Sequence, residues 1–157
     1  MMMKTGEIIE KMIAKGCTLA TAESCTGGLI GKTITDVPGA SEIFGYGMVT
    51  YSNEAKQQVL GVKGETLAQY GAVSPETAAE MALGLQKLSG ADYAVSVTGI
   101  AGPGGGSAEK PVGLVYIGVA APQGVFVRKN FFCGTREDIR IQTTETALAF
   151  VAEVAAL

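Results

Sequence analysis

Ser24, Cys25 and Thr26 place two hydroxyls and a thiol between an apolar, β-branched run and two glycines, Gly27 and Gly28. The apolar run predicts a strand, and the helical spacing of apolar residues after the glycines predicts a helix. A tight strand-to-helix turn directs its side chains, and the first N–H groups of the helix, toward one edge of a sheet. The stretch therefore predicts either an N-cap cluster with a glycine turn or a functional site that binds an anion at the helix start.

The chain has no histidine among its 157 residues. This excludes Ser-His-Asp and Cys-His arrangements and the zinc sites built on imidazole. An enzyme of this composition that works near neutral pH takes its base from a carboxylate, a tyrosine or a lysine with a depressed pKa. Lys56 is the candidate base, because the positive dipole end of a short predicted helix lowers its pKa. It could deprotonate Ser24, with Tyr51 relaying the proton or holding the lysine; a solvated lysine is the alternative.

Cys25 competes with Ser24 as the nucleophile, because a thiolate at a helix N-terminus is activated in the same way. Neighbouring residues at a sharp turn point in different directions, so we expect one of the two to face the site. The local pattern leaves both assignments open.

Two further segments carry polar groups at the ends of predicted elements. Thr98 ends a short apolar strand, and a glycine-rich loop that includes Gly99 and Gly102 follows it. The loop lacks the Gly-Lys-Ser/Thr ending of a Walker A loop and the helix of a dinucleotide fingerprint. It favours close backbone approach to a phosphate or ribose; a flexible surface loop is the alternative. Arg136 lies in the first turn of the last predicted helix, where the positive end of the helix dipole repels its positive charge. The arginine therefore either binds an anion or is solvated at the surface.

The elements expected to position these residues alternate between helix and strand. The spacing predicts helices over 7–15, 28–35, 52–61, 65–70, 74–88 and from 135 toward the C-terminus, and strands over 17–22, 44–51, 92–98, 111–120 and 124–133. Ligands gather at the carboxyl ends of strands in open α/β sheets, so parallel early strands would make the polar segments converge. The predicted fold is α/β: a single-domain layered sandwich, 1–157, with helices around a mixed central sheet.

Composition limits the class of function. Hydrophobic residues make up 47% and charged residues 17% of the chain, as in a globular protein. The net charge of −3 and the 6% aromatic content argue against nucleic acid and anionic membranes as partners. No apolar run has the length of a spanning helix, and the N-terminus is not typical of a secretory signal. Cys17, Cys25 and Cys133 lack metal-type spacing, which favours reduced thiols in a cytoplasmic protein; apolar helix faces leave room for a homo-oligomer.

Five motifs occur in one order along the chain. They are Thr-Ala-Glu-Ser-Cys-Thr-Gly-Gly at 21–28, Val-Thr-Tyr-Ser-Asn-Glu-Ala-Lys at 49–56, Gly-Ala-Val-Ser at 71–74, Thr-Gly-Ile-Ala-Gly-Pro at 98–103 and Lys-Pro-Val-Gly at 110–113. Together they closely resemble the C-terminal domain of the competence/damage-inducible CinA family, whose stand-alone members are bacterial nicotinamide-nucleotide amidases. The resemblance covers nearly the whole chain.

The resemblance implies hydrolysis of nicotinamide mononucleotide to nicotinate mononucleotide and ammonia, a step of pyridine-nucleotide salvage that uses no metal or other cofactor. It implies Ser24 as nucleophile and Lys56 as its general base, with Tyr51 assisting. The long form of the family carries an additional N-terminal nucleotide-hydrolase domain. We expect this chain, which starts shortly before its first predicted helix, to lack that domain.

The resemblance also implies the binding residues. Thr26 and the backbone at Gly27 and Gly28 would support the oxyanion or orient Ser24. Thr98 and the glycine loop, with Gly99 and Gly102, would line the nucleotide site. Arg136 would hold the 5′-phosphate, with Arg140 one helical turn on as the alternative. Two competing hypotheses remain open: a non-catalytic nucleotide-binding module, and a cysteine amidase that acts through Cys25.

Overall fold

Helices and strands alternate along most of the chain in the computed structural model, which describes residues 2–157. The helices are α1 (Thr5–Lys15), α2 (Leu29–Thr35), α3 (Asn53–Leu60), α4 (Gly64–Tyr70), α5 (Pro75–Ser89) and α6 (Arg136–Val154). The strands are β1 (Leu19–Glu23), β2 (Phe44–Val49), β3 (Tyr93–Gly99), β4 (Leu114–Ala121) and β5 (Gly124–Phe131). A 3-10 turn, Ala40–Glu42, precedes β2. Within the described residues, every helix is too short or too polar to cross a membrane.

The strands form one mixed sheet in the order β2-β1-β3-β4-β5. β1 is parallel to both β2 and β3, whereas β4 is antiparallel to β3 and β5. The carboxyl ends of the first three strands therefore lie along one edge of the sheet. Gly45 interrupts the register, since Leu19 pairs with Phe44 and Ala20 with Tyr46. A glycine inside a strand is typical of such a bulge.

Helices cover both faces of the sheet. Apolar residues of α1, α2 and α6 pack with Leu19, Val95 and Ile117 on one face. On the other face, α3, α4 and α5 pack with Ala20, Ala22 and neighbouring alanines. β1 and β4 are buried along their whole length, as strands covered on both sides must be. The α/β layered sandwich around a mixed sheet, predicted from the pattern of elements, is confirmed.

The short helix α3 is held close to α5. Ser52 caps α3 by accepting a hydrogen bond from the Ala55 N–H, and Gly61 ends it in the left-handed region at φ 70°. A Cβ at Gly84 in α5 would lie 1.7 Å from the carbonyl oxygen of Leu60. Glycine at this position therefore lets the two helix backbones approach each other, which fixes the height of α3 above the sheet.

Several strands are shorter than predicted, and for β2 and β4 the reason is local. β2 ends at Val49 rather than at residue 51, because the carbonyls of Thr50 and Tyr51 accept hydrogen bonds from the Lys56 side chain instead of joining the sheet. β4 begins at Leu114 rather than at residue 111, since Pro111 has no N–H for a strand ladder and Gly113 turns the chain at φ 94°.

Candidate active site

A cavity of about 280 Å³ opens where β1 and β3 end. Its lining combines the turn after β1, the β2–α3 junction, the glycine loop after β3 and the start of α6. The predicted site residues that line it are Ser24, Cys25, Tyr51, Lys56, Thr98, Gly99, Gly102 and Arg136. Residues from four separate segments of the chain thus converge, as expected where parallel strands end together.

Lys56 reaches Ser24 from the opposite side of this cavity. Its Nζ lies 2.9 Å from Ser24 Oγ, 2.8 Å from the Thr50 carbonyl oxygen and 3.3 Å from the Tyr51 carbonyl oxygen. The Lys56 side chain is almost completely buried, with 1% of its surface exposed. No carboxylate in residues 2–157 forms a salt bridge with it. A buried ammonium without a counter-ion is the arrangement that favours the neutral amine.

Burial lowers the pKa of Lys56 below its ordinary value of 10.5, because the charged form loses its hydration shell. A smaller electrostatic effect of Cys25 acts in the opposite direction. The sequence predicted a depressed pKa from the helix dipole alone; desolvation is the larger cause. The neutral amine has a lone pair that can accept the Ser24 proton across the 2.9 Å contact.

Cys25 lies beside Ser24 in a different environment. Its thiol packs within the hydrophobic core that includes Ile30 and Ile139, and burial raises its pKa to about 11. Lys56 and Arg140 partly offset that rise. A thiol with this pKa remains protonated near neutral pH, whereas the Ser24 hydroxyl contacts a candidate base directly. The geometry favours Ser24 over Cys25 as the nucleophile.

Thr26, Gly27 and Gly28 lie outside the cavity lining. The Thr26 hydroxyl donates to Glu23 at 2.6 Å, the Gly27 N–H to the Ser24 carbonyl at 3.1 Å, and the Gly28 N–H to Glu23 at 3.2 Å. Because these donors are already paired, the predicted oxyanion support by the glycine N–H groups and the Thr26 hydroxyl does not match the structure. What remains of the prediction is that these residues orient the turn that carries Ser24.

The main-chain N–H groups of Cys25 and Thr26 differ from those of the glycines. Neither donates to a main-chain carbonyl in the part of the chain that the structure describes, although the Cys25 N–H lies close enough to its own Sγ to stabilise the thiolate. Cys25 directly follows Ser24, the position from which many hydrolases supply an oxyanion donor, and Thr26 is the next residue. They are the better candidates for that role, and the sequence did not single them out.

Glu23 is the second feature that sequence reasoning missed. Its buried carboxylate lies at the N-terminus of α2 and accepts hydrogen bonds from Thr26, Gly28, Ile30 and Gly31. The anion predicted at this helix start is therefore a side chain of the protein, and no room is left for an external ligand. An acidic residue at the end of the apolar strand that leads into the turn before α2 was the available indication.

The two arginines of α6 have different surroundings. Arg136 lines the cavity and donates to the Gly102 carbonyl at 2.8 Å and to the Tyr51 hydroxyl at 3.2 Å. Arg140 donates to the carbonyls of Cys25 and Thr26 at 3.2 and 2.9 Å. Arg140 therefore stabilises the turn after β1, whereas Arg136 faces the open volume. Of the two alternatives for a phosphate ligand, only Arg136 has access to the cavity.

Tyr51 contacts the site in two ways. Its main-chain carbonyl accepts from Lys56, and its phenol hydroxyl accepts from Arg136. The side chain is 60% exposed at the cavity entrance. The prediction that Tyr51 holds the lysine therefore matches the position of its backbone, while its phenol lies beside the arginine.

The glycine loop approaches the rest of the chain closely. A Cβ at Gly99 would lie 2.6 Å from the Val115 side chain, and one at Gly102, where φ is 78°, would lie 2.4 Å from Val112. Gly104 and Gly105, in contrast, border the cavity: a Cβ at Gly104 would have no atom within 4 Å, and one at Gly105 would lie 3.8 Å from the Ile100 side chain. Thr98 donates its hydroxyl to the Ala72 carbonyl at 2.8 Å, which joins the loop to the segment before α5.

No group of three or more His, Cys, Asp or Glu side chains in residues 2–157 is placed to hold a metal ion. The polar groups of the cavity are instead a hydroxyl, an amine, a phenol and a guanidinium. This donor set suits an anionic organic ligand.

The fold and the cavity define an α/β protein with a serine–lysine pair at the carboxyl edge of its sheet. The chain belongs to the CinA C-terminal domain family, whose model matches residues 3–155. It is 59% identical over 133 residues to a CinA-like protein of Syntrophomonas wolfei, which covers 85% of the chain and 32% of that protein. The chain spans about a third of the length of several such relatives.

Shorter relatives match over nearly their whole length. The nicotinamide-nucleotide amidohydrolase PncC of Escherichia coli is 51% identical over 149 residues, which is 94% of this chain and 90% of that protein. The crystal structure of the competence/damage inducible protein CihA from Agrobacterium tumefaciens superposes with a TM-score of 0.92 at 45% identity, covering 98% of this chain and 96% of that one.

Proposed function

We propose that residues 1–157 act as one amidase domain that converts nicotinamide mononucleotide and water to nicotinate mononucleotide and ammonia. The observation that carries the proposal is the buried contact of 2.9 Å between Lys56 Nζ and Ser24 Oγ in a chain without histidine. The similarity to the Escherichia coli nicotinamide-nucleotide amidohydrolase supports the choice of substrate.

In the first step, neutral Lys56 accepts the Ser24 proton while Ser24 Oγ forms a bond to the carboxamide carbon. Negative charge develops on the carboxamide oxygen, and the N–H groups of Cys25 and Thr26, which follow Ser24 in the chain, are the donors that we assign to it. The Lys56 ammonium then gives its proton to the leaving nitrogen. The C–N bond breaks, ammonia departs, and an ester joins Ser24 to the nicotinoyl group.

In the second step, Lys56 acts on water. It removes a proton from a water molecule that attacks the ester carbon, and it returns that proton to Ser24 Oγ as the ester bond breaks. The products are the free serine and nicotinic acid mononucleotide, whose carboxyl group releases its proton to solvent and becomes the carboxylate. An amide is a poor electrophile, so the pyridinium ring beside the carboxamide, which withdraws electrons, eases both attacks.

Arg136 provides the positive charge for the 5′-phosphate. Two of its N–H donors are used on Gly102 and Tyr51, and a guanidinium has five. The remaining donors are available to an anion at the cavity entrance. This local charge allows a protein of net charge −3 to bind an anionic nucleotide.

Ammonia release from nicotinamide mononucleotide in the presence of a chelator tests the proposal, with wild type and Ser24→Ala side by side. We expect ammonia from the wild type and none above background from Ser24→Ala. The absence of ammonia at every pH from about 6 to about 9 would overturn the proposal.

A nucleotide-binding module is the second candidate. Lys56 donates to three acceptors, as a protonated structural lysine does, and this observation favours it. Calorimetric titration with the nucleotide discriminates between the two functions. An enzyme loses turnover in Ser24→Ala but keeps affinity, whereas a binding module has no turnover in either form.

The proposed function also indicates the cellular compartment in which the protein acts. All three cysteines are free thiols, and small nucleotides are cytoplasmic metabolites, so we place the activity in the cytoplasm.

A further inference from the structure

Glu23 is the last residue of β1 and directly precedes Ser24. Only 1% of its surface is exposed. Its Oε1 accepts from the Thr26 hydroxyl at 2.6 Å, the Gly28 N–H at 3.2 Å and the Ile30 N–H at 2.9 Å, and its Oε2 accepts from the Gly31 N–H at 2.9 Å. A carboxylate accepts only, so four donors around it satisfy both oxygens.

Helix α2 depends on this carboxylate for its start. Its N-cap residue, Gly28, has no side chain to cap the helix, and its φ of 104° belongs to the turn. Glu23, the residue just before the turn, accepts hydrogen bonds from N–H groups at the helix start that would otherwise be unpaired. Because it contacts donors from Thr26 to Gly31, the five-residue turn that contains Ser24 is fixed at both of its ends.

The main chain of Glu23 reaches the lysine side of the site. Its carbonyl accepts the Thr50 N–H at 2.9 Å, and the Thr50 carbonyl accepts Lys56 Nζ at 2.8 Å. The side chain thus orients the turn of the nucleophile, while the backbone fixes the carbonyl that orients the base. Glu23 thus connects the Ser24 turn with the Lys56 side through hydrogen bonds, although it does not line the cavity.

We propose that Glu23 is a positioning residue for the Ser24–Lys56 pair, an inference that rests on the proposed amidase function. Its carboxylate sets the direction of Ser24 Oγ and of the Cys25 and Thr26 N–H groups. Displacement of a reacting group by about 1 Å costs on the order of 10²-fold in rate. Nucleotide recognition by Arg136 and the glycine loop does not pass through Glu23.

Glu23→Gln tests this role, because it keeps the shape of the side chain but places an NH₂ group among N–H donors. We expect kcat to fall about 10²-fold while KM for nicotinamide mononucleotide changes less than about threefold. The matched control is Glu80→Gln. Glu80 accepts from the Lys63 N–H and the Thr66 hydroxyl at the start of α4, and none of these residues lines the cavity, so we expect this variant to lose a similar helix contact without loss of kcat.

A second readout does not depend on the nucleotide. A small fluorophosphonate is attacked by Ser24 Oγ, which forms a bond to phosphorus as fluoride leaves and the serine proton passes to Lys56. Labelling is followed by the intact mass of the protein. We expect Glu23→Gln to be labelled about 10²-fold more slowly than wild type and Glu80→Gln at the wild-type rate.

The two readouts separate the inference from the proposed function. If wild type releases no ammonia but is labelled at Ser24, the proposed substrate is wrong and labelling decides the role of Glu23. If wild type shows neither reaction, no reactive serine exists to be positioned and the inference falls as well. Equal kcat and labelling for wild type and Glu23→Gln would overturn it, whatever the change in melting temperature.

A milder pair of variants covers the case in which Glu23→Gln does not fold. Thr26→Val removes only the 2.6 Å hydrogen bond to the carboxylate, and Thr26→Ser keeps the hydroxyl. We expect Thr26→Val to lower kcat with little change in KM and Thr26→Ser to recover most of the loss. Identical kcat values for Thr26→Val and Thr26→Ser would contradict the role of Glu23.

Discussion

Lys56 Nζ and Ser24 Oγ lie 2.9 Å apart although 32 residues separate them in the chain. The contact follows from the pairing of β1 with β2 as parallel neighbours, because the residues that follow both strands then meet at one edge of the sheet. Ser24 follows β1 directly, and Lys56 lies one turn into the helix that follows β2. The contact between the two side chains is therefore a product of topology.

Removal of either partner is expected to abolish turnover. Ser24→Ala and Lys56→Met should each lower kcat by about 10⁴-fold or more, because the nucleophile and its base act as a unit. For the same reason, the double variant should be no slower than the single variants. Ammonia release measures all three. Additive losses in the double variant would show that the residues act independently.

The pH profile is expected to report Lys56. Burial lowers the pKa of Lys56 below 10.5, and the reaction needs the neutral amine, so kcat/KM should rise with pH through a midpoint below 10.5. Ammonia release across the alkaline range measures the midpoint. Tyr51→Phe should keep the midpoint where it is, since its phenol contacts Arg136 rather than Lys56. If kcat/KM of Tyr51→Phe no longer rose at alkaline pH, the rise would belong to the Tyr51 phenol rather than to Lys56.

The thiols should react in the order of their exposure. Cys133 is exposed, whereas burial raises the pKa of Cys25 to about 11. Near pH 8, iodoacetamide should therefore modify Cys133 long before Cys25, and modification of Cys25 should accelerate only as the pH approaches about 11. Peptide mass spectrometry after timed quenching distinguishes the two sites. Rapid modification of Cys25 near neutral pH would reopen the cysteine-amidase hypothesis.

The sequence predicts the parts of this site that depend on local pattern and topology. Polar residues follow three apolar strands, and the carboxyl ends of parallel strands meet, which brings Ser24, Lys56 and Thr98 to one cavity. The start of the last helix was predicted at residue 135, and the capping box of Thr135 and Asp138 places Arg136 in the first turn of α6. The family membership predicted from five ordered motifs is confirmed.

The remaining features depend on three-dimensional contacts that no local pattern contains. Glu23 follows four apolar or small residues of β1, and only the path of the turn brings its carboxylate to four donors. Arg136 and Arg140 are one helical turn apart, yet one faces the cavity and the other the turn of Ser24. The orientation of α6 against the sheet makes this difference, and helix periodicity alone cannot specify it.

Arg136 should discriminate between phosphorylated and unphosphorylated substrates. A charge-assisted contact to phosphate contributes about 1.5–3 kcal/mol, so Arg136→Met should lower kcat/KM for the mononucleotide about 10- to 100-fold relative to nicotinamide riboside. Parallel ammonia assays with both substrates give this ratio. Arg128→Met is the matched control, because Arg128 forms an exposed salt bridge with Glu153 away from the cavity. An unchanged ratio in Arg136→Met would place the phosphate elsewhere.

Gly84→Ala is expected to weaken both the fold and the site. The new Cβ would lie 1.7 Å from the Leu60 carbonyl oxygen, so α3 must move away from α5 and carry Lys56 with it. The free energy of unfolding should fall by about 1–3 kcal/mol, and kcat of the folded fraction should fall as well, because the Ser24–Lys56 distance increases. Gly6→Ala is the control: Gly6 lies in α1 with no atom within 4 Å of the added Cβ, so alanine there should raise helix stability by up to about 1 kcal/mol without changing kcat. Urea denaturation and ammonia release on both variants test the coupling. If Gly84→Ala unfolds as readily as predicted but keeps wild-type kcat, the packing of α3 on α5 stabilises the fold without positioning the lysine.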